Sequence, residues 1–433
     1  MLIDQFNTTL SGGAAVAARR LHHSLINCGV RSRFWYRKKK NSTAPEGQGY
    51  YPADNVWIQT VRNLLAFPTQ KLHRLRFKNA MRNRPADLEF FSSPNVFPPT
   101  KIDLSRIGSD VIHLHWIYKL IDYPTFFGSI PNDFPIVWTL HDMNPFTGGC
   151  HHSDSCHLFQ TSCQYCPQIR NPGPDDISAK IFGIKHAALA QKNIHIVTPS
   201  RWMEDRVRAS KILGSARSIQ TIHNGLDTKV FKPRDQKGAR ERLGIPQDKI
   251  VIGFGAASLK NRRKGFPELL RSLTLLTDQK KYFGLTFGDG DLPTYGNQLP
   301  ALKSTGYLDK PEAIADFYAA LDLFVITSLA ENMPQTVVES MACGIPVVGF
   351  SVGGIPEIVQ PNRTGMLSSL GNCSQLASQI ATLGENRDLR NQMRHAARKV
   401  ATTEFEQSQR TEDYRQLYAS AIAMSQRSFP QAA

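Results

Sequence analysis

Two glutamates, Glu331 and Glu339, are separated by seven residues in the segment SLAENMPQTVVESMACGIPVVGFSVGGIPEIV. Glu331 precedes a helical pattern and Glu339 falls in its early turns. Pro334 fits a first turn, where a missing N–H costs little, and Gly344 suits a left-handed position at the far end. The strand pattern LFVITS comes just before. The helix N-terminus is therefore expected at the carboxyl edge of a sheet, where open α/β sheets bind ligands. Free backbone N–H groups and the helix dipole there suit a diphosphate. A carboxylate is repelled by phosphate and is better used on sugar or ribose hydroxyls, from which it accepts two hydrogen bonds. Spacing alone also describes two solvated glutamates on a surface helix.

A second constellation is TLHDMNPFTGGCHHSDSCHLFQTSCQYCPQ, residues 139–168, which holds four of the seven cysteines. Cys150, Cys156, Cys163 and Cys166 end in a Cys-x2-Cys pair, and four thiolates suit tetrahedral zinc. His151, His152 or His157 could replace one thiolate. Such a site has no open coordination position, so the expected role is structural, with no metal needed for catalysis. Free buried thiols and an iron–sulfur cluster are the alternatives. His141 and Asp142 stand just before, at the end of the strand pattern PIVWTLHD.

The elements that must position these residues repeat one theme. The chain has 433 residues, enough for two domains with their own cores. Strand patterns LIDQF, DVIHLHW, FPIVWTLHD and IHIVTPS alternate with helical ones, and the alternation restarts after a turn-rich stretch at 221–235. This implies parallel sheets. A helix is expected over SGGAAVAARRLHHSLINCG, with Ala14, Val16, Ala17, Leu21, Leu25 and Ile26 inward and Gly29 closing it. The first strand is short, so the natural start is expected upstream. No apolar run reaches membrane-spanning length, and the first residues lack the apolar core of a signal peptide. A cytosolic protein is expected, in which clustered cysteines suit metal better than disulfides.

The segment with the two glutamates resembles the donor half of retaining glycosyltransferases of the GT-B fold, in the GT4 family. The version ENMPQTVVESMACG is similar to a branch that includes colanic-acid-type polysaccharide enzymes, with E-N-M-P replacing the commoner E-G-F-G. IHNGLD at 222–227 resembles the family's hinge signature, and FGDG at 287–290 its G-x-G turn. SGG at 11–13 fits the glycine turn after the first strand. The resemblance implies an α/β chain of two Rossmann-like, doubly wound domains facing a central cleft: 1–225 on the acceptor side, 226–410 on the donor side, and a helical tail at 411–433 returning to the first domain. It implies Glu331 near the transferred sugar and Glu339 near the ribose. Asn332, Met333, Pro334, Gln335, Gly12 and Gly13 complete the donor contacts. Lys264 fits the family's phosphate-binding lysine, but Leu259 stands where its arginine is usual. Arg262 or Arg263 must substitute. His141 matches a histidine near the donor sugar's hydroxyls, a substrate contact and not a proton-relay base. The expected activity is hexose transfer from a nucleotide sugar to a glycan or lipid-linked acceptor. A nucleotide-sugar epimerase on the same fold and a non-catalytic nucleotide-sugar-binding scaffold are the alternatives.

Net charge is +16, and residues 1–100 carry fifteen Lys/Arg against five Asp/Glu. Residues 61–84 hold seven Lys/Arg and no acid, interleaved with Leu64, Leu65, Phe67, Leu72, Leu75, Phe77 and Met81. A basic amphipathic helix of this kind reads as binding an anionic membrane surface. No base-reading motif supports nucleic acid. A core helix with a basic outer face is the plain alternative.

Overall fold

The computed structural model describes residues 1–37, 49–53, 57–59, 63–82, 84, 88–94, 100–102, 108–292 and 299–426, with the backbone alone at 57–59, 63–70, 100–102 and 426. The chain divides into two compact units, Met1–Ile222 with Thr411–Ala433, and His223–Arg410. The division falls at 222/223, inside the IHNGLD segment, and not at 225/226.

The strands of the first unit are β1 (Leu2–Phe6), β2 (Arg31–Tyr36), β3 (Tyr50–Pro52), β4 (Trp57–Gln59), β5 (Thr100–Ile102), β6 (Val111–Leu114), β7 (Ile136–Thr139), β8 (Ile194–Thr198) and β9 (Ser218–Thr221). Seven form one sheet in the order β3-β2-β1-β6-β7-β8-β9, every pair parallel. β4 and β5 form a separate antiparallel pair. Successive strand side chains point to opposite faces, and here both faces are buried. Ile3, Val111, Val137 and Val197 pack with Leu21 and Leu25 of the helix Gly13–Asn27 and with Tyr414 and Tyr418 of the helix Gln407–Gln426. Phe6, Ile112, Leu114, Ile136, Trp138 and Ile196 form the core of the other face. Parallel strands covered on both sides read as continuous apolar runs for this reason.

The helix Gly13–Asn27 turns a different face inward than its apolar pattern suggests. Ala15, Ala17, Ala18, Leu21, His22 and Leu25 are buried, whereas Ile26 is 39% exposed and Ala14 and Val16 are not buried. Its alanine run allows two faces. The sheet selects the one that carries His22, whose Nδ1 meets Ser32 Oγ of β2 at 2.8 Å.

The second unit has β10 (Ile250–Ser258), β11 (Tyr282–Asp289), β12 (Ala301–Ser304), β13 (Leu323–Ile326), β14 (Val347–Phe350) and β15 (Gly365–Ser368), in the parallel order β12-β11-β10-β13-β14-β15. Strand residues again alternate between two cores, Val251, Phe324 and Val347 in one, Ile252, Val325 and Val348 in the other. The chain runs outward from β10 to β12 and then returns to place β13 beside β10. This reversal is the switch point at which such sheets open a crevice at their carboxyl edge. The loops leaving β10 and β13 are therefore neighbours.

Candidate donor site

Those two loops carry Lys264 and Glu331. After β10 a short 3-10 turn, Arg262–Lys264, is started by Asn261, whose side chain accepts the Arg263 N–H at 3.0 Å. Gly265 follows with φ +73°, and a Cβ there would stand 1.7 Å from Thr327 O. Only glycine lets the loops close this tightly. The gap is sealed by Thr327 Oγ1, which donates to Gly265 O at 2.7 Å, and by Leu329 N, which donates to Arg263 O at 2.7 Å. Lys264 Nζ then reaches Glu331 Oε2 at 2.6 Å, Arg263 Nη1 reaches it at 3.1 Å, and Ser328 Oγ at 3.2 Å. Arg263 Nη1 also donates to Ala330 O at 2.8 Å. Glu331 is buried. The loop after β14 completes the enclosure. Gly353 has φ +57°, and a Cβ there would lie 1.7 Å from Glu331 O.

Of the two candidate arginines, the structure brings Arg263 to this cluster. Arg262 turns away and holds Glu268 with its two terminal guanidinium nitrogens, Nη1 to Oε2 at 2.7 Å. Neighbours on a tight turn point in different directions, so three basic residues in a row do not share one target.

The helix after Glu331 runs Gln335–Ala342, with Pro334 at the capping position and not inside the first turn. Asn332, Met333 and Pro334 are buried, and Gln335 is partly so. Met333 Sδ accepts the Asn224 N–H at 3.4 Å, which ties this loop to the segment that opens the unit. Glu339 is buried, and Tyr318 Oη lies 3.2 Å from its Oε2 and 3.0 Å from Thr336 O. Gly344 has φ +74° at the far end of the helix.

In the first unit, Gly12 precedes and Gly13 begins the helix after β1, and a Cβ at either meets nothing within 4 Å. His141 follows β7. Its Nε2 is 3.3 Å from Nδ1 of His115, which follows β6, and the two rings stack at 5.5 Å. His115 Nε2 in turn meets Gln5 Oε1 of β1 at 3.0 Å. Burial pushes the His141 imidazole down to about 4, against the opposing pull of Asp142, so it is neutral at pH 7. Burial would raise Asp142, but His151 and the Asn144 N–H hold it at about 2. Asp142 accepts from His151 Nδ1 at 2.6 Å, Trp116 Nε1 at 3.0 Å and Asn144 N at 2.9 Å. His151 is thereby a partner of Asp142 and not a thiolate substitute. Its Nε2 meets Ser92 Oγ at 2.9 Å.

Cys150, Cys156, Cys163 and Cys166 are free and line one small cavity with Ser153, Phe159 and Ser178. The donor chemistry suits a soft ion: Cys163 Sγ accepts the Gly148 N–H at 3.2 Å, and the Gln168 backbone supports Cys166. The spacing is looser. Among the described residues no three His, Cys, Asp or Glu side chains converge closely enough to hold a metal ion. Burial raises the Cys150 and Cys166 thiols, and Cys163 to about 12. As they stand, Cys150, Cys163 and Cys166 are neutral thiols.

The basic segment contains the helix Asn63–Met81; residues 61, 62 and 83 lie outside the described residues. Phe77, Ala80 and Met81 pack on the cluster of Phe91, Cys150 and Cys166. Leu72 and Leu75 are 48% and 55% exposed, among exposed Lys71, Arg74, Arg76 and Lys78. The core-helix reading thus describes one face and the surface reading another.

Sequence reasoning passed over Gln5, His115, Ser328 and Tyr318. The only signal for His115 was the His-x-His of DVIHLHW, which reads as plain buried strand.

Known proteins resemble the chain in part of its sequence and in its fold. Residues 249–386 match the family model of glycosyl transferases group 1. WcaC of Escherichia coli (strain K12), named as a colanic acid biosynthesis glycosyl transferase, is 26% identical over 83% of this chain and 85% of its own length. The N-acetyl-alpha-D-glucosaminyl L-malate synthase of Bacillus anthracis is 28% identical over 47% of this chain, and the match spans only 54% of that relative. Anabaena Alr3699/HepE, solved in complex with UDP-glucose, superposes with a TM-score of 0.62 at 17% identity, covering 97% of this chain and all of that one. Residues 249–386, which contain Lys264, Glu331 and Glu339, are a glycosyl transferases group 1 domain of GT4 type, and the chain that carries them has the GT-B fold.

Proposed function

We propose that the chain transfers a hexose from a nucleotide-sugar donor to a glycan or lipid-linked acceptor, with retention at the anomeric carbon, in polysaccharide biosynthesis. The observation that carries this reading is the convergence of Lys264 and Arg263 on Glu331 beside the start of the helix Gln335–Ala342. A nucleoside diphosphate leaving group needs fixed cations, and two stand there on a tightly closed loop. Glu339 accepts the ribose hydroxyls and Glu331 serves the transferred sugar. His141, neutral at pH 7, is read as a substrate contact. Reaction on one face, with the departing phosphate taking the acceptor proton, gives retention without a protein nucleophile.

The relative named for colanic acid biosynthesis and the neighbour solved with UDP-glucose favour a nucleotide-sugar donor and a polysaccharide product. The exposed Leu72 and Leu75 among four cations favour peripheral attachment at the inner face of an anionic membrane, where lipid-linked acceptors lie. No described helix is long and apolar enough to cross a membrane. The cysteine cavity we assign a structural role, with zinc as the ion that four thiolates drawn together would take.

A donor screen by thermal shift, followed by an assay of nucleoside diphosphate release with and without acceptor, tests the reading. Acceptor-dependent release is expected. Binding without release is the outcome for a scaffold, and a changed sugar nucleotide without acceptor is that for an epimerase.

A further inference from the structure

Behind His141 lies a continuous row of polar side chains. His22 Nδ1 meets Ser32 Oγ at 2.8 Å, and Ser32 Oγ accepts from Gln5 Nε2 at 2.8 Å. Gln5 Oε1 lies 3.0 Å from His115 Nε2, and His115 Nδ1 lies 3.3 Å from His141 Nε2. His22 and Gln5 are fully buried, and His115 and Ser32 nearly so. β1 lies between β2 and β6 in the sheet, so Gln5 reaches diagonally back to Ser32, which pairs with Ile3, and forward to His115, two residues beyond its own partner His113.

We infer that Gln5, acting through His115, fixes which ring nitrogen of His141 carries the proton. An amide has one accepting end and one donating end. With Gln5 Nε2 given to Ser32, its oxygen faces His115 and demands a proton on His115 Nε2. A neutral His115 then has its lone pair at Nδ1, which demands a proton on His141 Nε2. The lone pair of His141 is left on Nδ1, so that nitrogen accepts a hydrogen bond and does not donate one. Both rings must be neutral for this logic to hold. Burial depresses both, with His113, His141 and His22 adding to the effect on His115 and only Asp142 opposing it at His141. His113 stacks on His115 at 4.1 Å but spends its own nitrogens on Tyr418 and Thr139, so it does not compete for the row.

Gln5 and His115 are positioning residues in this account. What His141 Nδ1 binds rests on the reading of His141 as a substrate contact; its protonation pattern does not. The full chain labelled with 15N-histidine, with His141→Gln used to assign the signals, is examined at pH 7 by long-range proton–nitrogen correlation. The expected pattern is Nε2–H with an unprotonated Nδ1 at both His115 and His141. Gln5→Met leaves a buried His115 Nε2–H without an acceptor. The proton is then expected to move to His115 Nδ1 and to switch His141 to the Nδ1–H form. Gln5→Glu keeps an acceptor facing His115 and is expected to keep a proton on His115 Nε2. Nδ1–H at His141 in the wild type overturns the inference with no variant needed. So does an unchanged pattern in folded Gln5→Met. If His141→Gln instead leaves donor KM and turnover unchanged, the substrate-contact reading falls and the tautomer result stands.

Discussion

Lys264 Nζ and Glu331 Oε2 are 2.6 Å apart, and Arg263 Nη1 shares that oxygen at 3.1 Å. Two cations surround one buried carboxylate, an excess of one positive charge. Each is held in place before any diphosphate arrives. Such preorganisation is how a site stabilises developing charge without rearranging during reaction.

Glu331→Gln removes the negative charge but not the cations. Nucleoside diphosphate affinity, measured by calorimetry, is expected to hold or rise, while turnover falls by about 100-fold or more, the scale for loss of a positioned polar group at a reacting centre. Lys264→Ala is expected to weaken nucleoside diphosphate binding by about 1.5–3 kcal/mol. Retention of both affinity and turnover in Lys264→Ala would remove this lysine from the site.

Glu339→Ala is expected to weaken donor binding by about 1.5–3 kcal/mol through lost hydrogen bonds to the ribose. Tyr318→Phe deletes only the hydroxyl that lies 3.2 Å from Glu339. It is expected to cost about 1 kcal/mol of stability and a smaller part of the affinity. A 2′-deoxyribose donor separates the two effects. Glu339→Ala that discriminates against the deoxy donor as strongly as wild type does would place the ribose elsewhere.

Acid is expected to destabilise the fold well above the carboxylate range. His141 is near 4 when folded against 6.5 unfolded. The unfolded chain therefore binds the proton first. Stability is full above pH 6.5 and is lost as pH falls toward 4, by up to about 3 kcal/mol for this group (2.5 pH units at 1.36 kcal/mol each). His195, also lowered to about 4 by burial and by Arg217, acts in the same window. The contribution of Asp142 is full above its unfolded 3.8 and is lost only as pH falls from there toward its folded value near 2. Denaturant melts at pH 7, 5.5 and 4.5 should show a steady fall in midpoint. Equal midpoints at pH 7 and 5 would mean that these rings are charged in the folded state.

The proposed zinc requires the four thiols to draw together from their present places; zinc analysis of protein grown with the metal is then expected to give about one ion per chain. Chelation, or Cys163→Ser with Cys166→Ser, is expected to lower Tm by linkage of metal binding to folding. Turnover should fall with it, because the loop continues the segment that carries His141 and Asp142. A stable protein without metal, with four thiols that titrate individually, would leave the cavity as four packed cysteines.

Charge reversal at Lys71, Arg74, Arg76 and Lys78 is expected to release the protein from anionic liposomes while nucleotide binding is kept. Binding of the wild type should weaken steeply with salt. Leu72→Ser with Leu75→Ser should weaken it at every salt concentration. Equal binding to neutral vesicles in high salt would refute the electrostatic part.

The sequence by itself determined the two parallel α/β units, the strands with long apolar runs and the helix between Glu331 and Gly344. These rest on local periodicity and on proline and glycine at positions where backbone geometry leaves little choice. It did not reveal β2, β9, β12 or β15, which mix charged, polar or small residues with apolar ones. Their strand state comes from pairing with neighbours. Nor did local pattern choose the buried face of the helix Gly13–Asn27, where alanines leave the choice to the sheet. Only the tertiary structure decided between Arg262 and Arg263, because a turn sends adjacent side chains in different directions and only contact with Glu331 or Glu268 tells them apart. Only it joined Gln5, His115 and His141, which are separated by 110 and 26 positions. Strand order brings β1, β6 and β7 side by side, and no local feature of the sequence encodes strand order.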